Sequence, residues 1–144
     1  AAMRALWSGE EVDLDDGYQT WKRAVSLPTP ANGTVPIVIG GHSEAAARRA
    51  GRLGDGFFPG KGDNAALANL IAVMRQTAED HGRDPDAIEV TAGTPALGGD
   101  DPVGVVEEMA ALGIHRLITP PLAFDADSAP DAYAAFGDRI ISKV

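Results

Sequence analysis

Along the chain, short apolar runs alternate with polar turns and with longer segments in which apolar residues recur every three or four positions. Pro36-Ile37-Val38-Ile39 has the unbroken, β-branched character of a buried strand, and the alanine-rich stretch Glu44 to Leu53 follows it after four residues. Ser43 is placed to cap that helix, with Glu44 in its first turn and Gly54 at its end. Asp55 to Pro59 predicts a second short strand. After the polar loop Lys61-Gly62-Asp63-Asn64, the positions Leu67, Leu70, Ile71, Met74 and Ala78 keep helical spacing as far as Gly82. Ile88 to Ala92 predicts a third strand. Asp101-Pro102 starts a helix whose apolar positions Val105, Val106, Met109 and Leu112 run to Gly113. His115 to Thr119 is a fourth strand, and Asp131 to Ser142, carrying Tyr133, Phe136 and Ile140, a last helix.

This rhythm predicts an α/β fold of four parallel βα units over residues 36–144. Upstream, residues 1–9 read as the end of a preceding helix and residues 10–35 as a hairpin or extended connection, with turn signals at Asp15-Asp16-Gly17, Pro28-Thr29-Pro30 and Asn32-Gly33. The whole of 1–144 reads as one structural unit. Four parallel units are not a finished architecture, because a short sheet with helices largely on one face leaves its other face and two edges without partners. Two completions give a (β/α)8 TIM barrel: a missing N-terminal half, or a second copy of the chain, a homodimer. A doubly wound sheet with helices on both faces is the alternative.

Composition narrows the partners more than the fold. The chain has 144 residues, 44% of them hydrophobic and 23% charged, which suits a globular core. A formal charge of −9 disfavours nucleic acid and anionic membrane surfaces, both of which need a basic footprint. No apolar run approaches the roughly 20 residues needed to span a bilayer, and nothing at the N-terminus marks export. The absence of cysteine removes disulfides, thiolate nucleophiles and Cys-based metal sites, and the cytoplasm is the expected compartment.

The passage from Ile37 to Ser43 carries the clearest chemical signal. Two glycines and a hydroxyl at a helix start let a phosphate approach unpaired backbone N–H groups and the positive end of the helix dipole. An ordinary capped βα turn explains the same residues. No later glycine completes a dinucleotide fingerprint, and no Gly-Lys-Ser/Thr follows. Arg48, Arg49 and Arg52 place three of the chain's 12 basic residues within five positions, where pairing with nearby acids such as Asp55 competes with anion steering. Lys61, between glycines, is a candidate for an anionic substrate. His42, His81 and His115 lie too far apart in sequence for a metal motif, Ser43 lacks a nucleophile elbow, and no catalytic acid or base is assigned.

Read together, Pro36-Ile37-Val38-Ile39-Gly40-Gly41-His42-Ser43 and Ala45-Ala46-Ala47-Arg48-Arg49-Ala50-Gly51-Arg52-Leu53-Gly54-Asp55-Gly56-Phe57-Phe58-Pro59 resemble the C-terminal half of the bacterial luciferase-like monooxygenase and F420-dependent oxidoreductase family. Ala5-Leu6-Trp7-Ser8-Gly9 and Gly17-Tyr18 resemble the helix end and hairpin before that stretch, so the resemblance covers essentially the whole chain. It implies a TIM barrel, an oxidoreductase or monooxygenase using F420 or FMN, and a cofactor phosphate held by Gly40, Gly41, His42 and Ser43. His42 matches no fixed family identity. Phe58 and Lys61 would then face the cofactor or a small-molecule substrate, Phe58 as a flank for an isoalloxazine ring. The strand ends Thr91 to Thr94 and Thr119 to Pro121 would share that mouth. Much of the family's catalytic apparatus belongs to the first four βα units, so this chain alone is expected not to turn over. A half-barrel that binds a phosphorylated ligand and self-assembles without catalysis is the competing function.

Overall fold

A computed structural model describes residues 2–60 and 63–144, which form two compact units divided after Pro36. Lys61 lies outside the described residues. The first unit holds helix α1 (Ala2–Leu6) and an antiparallel hairpin of β1 (Val12–Asp15) and β2 (Thr20–Ala24), with Leu14 opposite Trp21. The Asp16 carboxylate accepts the N–H groups of Tyr18 and Gln19, which folds the turn between the strands. The register shifts between Val12 and Leu14; there Asp13 accepts the N–H of Arg23, whose φ of 50° marks the irregularity. The Arg23 guanidinium reaches back to Glu11 with two hydrogen bonds of 2.9 and 2.7 Å.

The second unit, Ile37 to Val144, is built on a four-stranded parallel sheet of β3 (Val38–Gly40), β4 (Gly56–Phe58), β5 (Glu89–Gly93) and β6 (Arg116–Ile118). The spatial order β3-β4-β5-β6 is the order of the chain. A doubly wound sheet reverses its strand order at a switch point, and none occurs among these strands, so the arrangement is that of a partial barrel. Helices α2 (Glu44–Leu53), α3 (Asn64–Asp80), α4 (Pro102–Ala111) and α5 (Ala129–Arg139) follow the four strands in turn.

Helices α2, α3 and α4 each begin where a side chain accepts an otherwise orphaned N–H. Ser43 accepts from Ala46, Asp63 from Ala66 and Asp101 from Gly104, the last with proline at the first helical position. The Asp63 cap lies inside the stretch expected to be loop, so α3 starts at its end. The last helix stops at Arg139 rather than Ser142, because Ile140 leaves helical geometry and buries its side chain before a 3-10 turn, Ile141–Lys143. Gly54 ends α2 as expected but for a different reason. Its φ is −81°, which any residue adopts, and what excludes a side chain is space: a Cβ would lie 2.9 Å from the Gly56 carbonyl oxygen.

The core occupies one face of the sheet. Phe57, Val90 and Ala92, with Ile39 and Leu117 partly buried, pack against Ala46, Ala47 and Ala50 of α2, Leu67, Leu70, Ile71, Met74 and Ala78 of α3, and Met109 of α4. The small face of α2 lets it approach α3 very closely, and a Cβ on Gly51 would sit 2.5 Å from the Met74 carbonyl oxygen. Arg83 locks the end of α2, donating to the carbonyls of Ala50, Gly51 and Gly54 at 3.2, 2.6 and 2.5 Å. Because side chains alternate along a strand, Val38 and Ile118 point to the opposite face and remain 53% and 48% exposed. On that face, at the N-terminal ends of β5 and β6, Arg116 meets Glu89 at 3.0 Å. No helix among the described residues is long and apolar enough to cross a membrane.

Candidate functional site

In a parallel barrel sheet, ligands gather where the strands end and the βα loops begin. At that edge the β3–α2 loop runs through Gly40, Gly41, His42 and Ser43. Gly41 has φ of 131°, and its N–H donates to the Phe58 carbonyl, so the loop is tied to the end of β4. A Cβ on Gly41 would meet Ala46 Cβ at 2.8 Å, whereas one on Gly40 would meet nothing within 4 Å. The space beside Gly40 is open among the described residues.

Ser43 Oγ accepts the Ala46 N–H at 3.3 Å, and the Ser43 carbonyl takes the Ala47 N–H. None of the N–H groups of His42, Ser43, Glu44 and Ala45 donates to another described residue. These are the orphan donors of a helix start, exposed and aligned with the positive end of the α2 dipole. Glu44 would oppose an anion there, but its carboxylate is drawn along the helix to Arg48, 3.1 Å away. The donor set therefore fits a phosphate group, such as those of FMN and F420, in number and in sign.

His42 contributes by packing. Its Nδ1 lies 3.3 Å from where a Cβ on Gly60 would be, and Gly60 has φ of 81°, so the β3–α2 loop rests against the loop that follows β4. Phe58, half-buried at the end of β4, stands opposite Gly40 in the register, next to the loop tied to its own carbonyl. Gly40, Gly41, His42, Ser43 and Phe58 are thus brought together. The Gly60 contact was missed in the sequence, where a glycine beside a loop lysine carries no signal that a ring will cover it.

A separate apolar cavity of about 310 Å³ lies beyond the ends of β5 and β6, lined by Pro95, Leu97, Thr119, Pro120, Leu122 and Phe136 among others. Thr119 and Pro120 belong to the strand end expected to border the mouth; the 3-10 turn Pro95–Gly98 and the α5 wall were not expected. Arg139 fastens α5 to the turn by donating to the Gly99 carbonyl. Among the described residues no group of three or more His, Asp or Glu side chains could hold a metal ion.

The model of the luciferase-like monooxygenase family matches residues 1–140. The chain belongs to that family. Among curated relatives, the F420-dependent glucose-6-phosphate dehydrogenase of Mycolicibacterium gilvum (strain PYR-GCK) is 39% identical over 89 residues, 60% of this chain and 26% of the relative. The matched stretch therefore spans about a quarter of that enzyme's length. Among solved structures, the coenzyme F420-dependent tetrahydromethanopterin reductase of Methanopyrus kandleri superposes with a TM-score of 0.77 at 14% identity, covering 97% of this chain and 60% of the reductase. An F420-dependent secondary alcohol dehydrogenase bound to an F420-acetone adduct gives 0.75 at 18% identity, covering 97% of this chain and 58% of that enzyme. At such identities the superpositions speak for the fold, and they agree with a luciferase-like barrel of which this chain supplies a part.

Proposed function

We propose that this luciferase-like chain forms part of an F420- or FMN-dependent oxidoreductase and holds the cofactor's phosphate at Gly40, Gly41, His42 and Ser43. The observation that carries the reading is the exposed row of unpaired N–H groups from His42 to Ala45 beside the open space at Gly40. The 39% identical relative named F420-dependent favours F420 over FMN. When bound, the cofactor supplies hydride or oxygen chemistry, and the protein supplies binding and orientation. The residues of this chain act by anchoring: the N–H groups neutralise the phosphate, the Ser43 hydroxyl holds the loop at the helix start, and Phe58 offers an apolar wall for a ring. Lys61 is a candidate contact for an anionic small-molecule substrate.

The uncovered face bearing Val38 and Ile118 is completed, in this reading, by a preceding half-barrel or by a second chain, and the 144 residues alone do not turn over. The protein as its gene encodes it should be titrated separately with F420 and FMN, following cofactor fluorescence. One of the two is expected to saturate at one equivalent per site. Gly41→Val, which demands φ of 131° from a β-branched residue and pushes on Ala46, should weaken that cofactor at least about tenfold, a loss of roughly 1.4 kcal/mol. Unchanged affinity in Gly41→Val and Ser43→Ala alike would remove the anchor from this loop.

A further inference from the structure

A second basic feature lies on the flank of α2, away from its N-terminus. Ala46, Ala47, Ala50 and Gly51 face the core, which turns Ala45, Arg48, Arg49 and Arg52 outward along one stripe. The close approach at Gly51 brings the last turn of α3 against that stripe, and the two helices enclose a groove of about 420 Å³ whose other wall is Thr77, Asp80 and His81. At about 30 Å³ per water molecule this is room for an anion together with its hydration.

The charges in the groove are not spent on one another. Arg48 pairs with Glu44 at 3.1 Å, while Arg49 and Arg52 make no ion pair with any described residue, in a chain with 21 acids and 12 bases. Asp80, the one acid on the lining, accepts a hydrogen bond from the Gln76 amide at 3.0 Å and keeps its negative charge on the α3 wall, so an anion is held on the α2 side by the arginines. His81 Nδ1–H donates to the Thr77 carbonyl at 2.9 Å, leaving Nε2 as the ring's remaining polar atom. The carbonyls at the end of α2 would repel an anion, but Arg83 covers three of them with its own cation. Two unpaired guanidiniums one turn apart suit an oxyanion that accepts from both forks. Arg52 lies nine residues along the helix from Ser43, about 13 Å, so this groove and the loop at Gly40 are separate places.

We infer that the groove between α2 and α3 is a second anion site, in which Arg49 and Arg52 take a phosphate-class dianion. The test is a titration with inorganic phosphate against sodium chloride at equal ionic strength, following the arginine Nε–Hε resonances by NMR. Arg49 and Arg52 should shift saturably with phosphate and little with chloride. Arg49→Gln/Arg52→Gln should raise the phosphate midpoint at least about tenfold, and Arg49→Lys/Arg52→Lys, which keeps charge but loses the fork, should fall between. All these side chains are exposed, so folding should be intact, which circular dichroism checks. The Gly41→Val protein should retain the site, separating this inference from the cofactor anchor. Glycerol phosphate in place of phosphate distinguishes the source: tighter binding points to a phosphorylated metabolite, equal or weaker binding to the free ion. Non-saturating shifts matched by chloride, or full binding by the double Gln variant, would overturn the site.

Discussion

The contact between α2 and α3 makes opposite predictions for the same substitution in two helices. Gly51 lies inside α2 and Gly137 inside α5, and in a helix interior alanine is favoured over glycine by about 1 kcal/mol. At Gly137 an added Cβ meets nothing within 4 Å, so Gly137→Ala should gain most of that amount. At Gly51 the Cβ would lie 2.5 Å from the Met74 carbonyl oxygen, 2.8 Å from Thr77 Cβ and 3.0 Å from the Ala78 nitrogen. Two of these atoms are backbone and move only if α3 does. Overpacking of that kind costs about 3 kcal/mol at its upper end, which exceeds the propensity gain and leaves Gly51→Ala about 2 kcal/mol less stable. Urea unfolding followed by far-ultraviolet circular dichroism reads both. With m of about 2 kcal/mol/M, the Gly51→Ala midpoint should fall by roughly 1 M and that of Gly137→Ala rise by roughly half that. If both variants are stabilised, the close approach of α2 to α3 is wrong, and with it the shape of the groove beside Arg49 and Arg52.

Three further outcomes can be checked on the same protein. Arg83→Met strands the carbonyls of Ala50, Gly51 and Gly54, and should cost about 2–3 kcal/mol in urea unfolding, with Arg83→Lys recovering only part because one ammonium cannot span three acceptors. Phe57, fully buried between sheet and helices, should cost about 3–5 kcal/mol when cut to alanine, read as a lowered midpoint in urea unfolding. Hydrogen bonds from the Ser128 hydroxyl at 2.6 Å and the Ser128 N–H at 2.8 Å hold the Asp125 carboxyl below the ordinary aspartate pKa. A group depressed in this way stabilises the fold above its unfolded pKa and loses that effect as pH falls through its folded pKa; Ser128→Ala should therefore move the Asp125 carboxyl midpoint upward in an NMR titration.

Periodicity made the four βα units readable, because each strand is a short apolar run and each helix carries an apolar stripe with a polar start. The caps at Ser43 and Asp101 were readable for the same local reason. What could not be read depends on distance along the chain. Arg83 closes α2 from about 30 residues away, and Gly51 looks like a weak point in a helix until α3 is laid across it. The family resemblance implied a phosphate at Gly40 to Ser43; what the sequence did not offer was the tie from Gly41 to Phe58 and the packing of His42 on Gly60. For the arginines of α2, pairing with nearby acids competed with anion steering; Arg48 does pair with a nearby acid, Glu44 one turn away, because an i, i+4 partner lies within reach on a helix.

The ion pair between Glu89 and Arg116 acquires a different meaning once the sheet it sits on is curved into a closed ring. With side chains 43% and 65% exposed, the two charges are well hydrated, and a double-mutant cycle on the open sheet should return no more than about 1 kcal/mol of coupling. Inside a closed lumen the same charges would lose their water, and removing either one alone would cost about 3–5 kcal/mol. The coupling between residues 89 and 116 is therefore a built-in gauge of barrel closure, readable without knowing the cofactor, the substrate or the identity of the strands that close it.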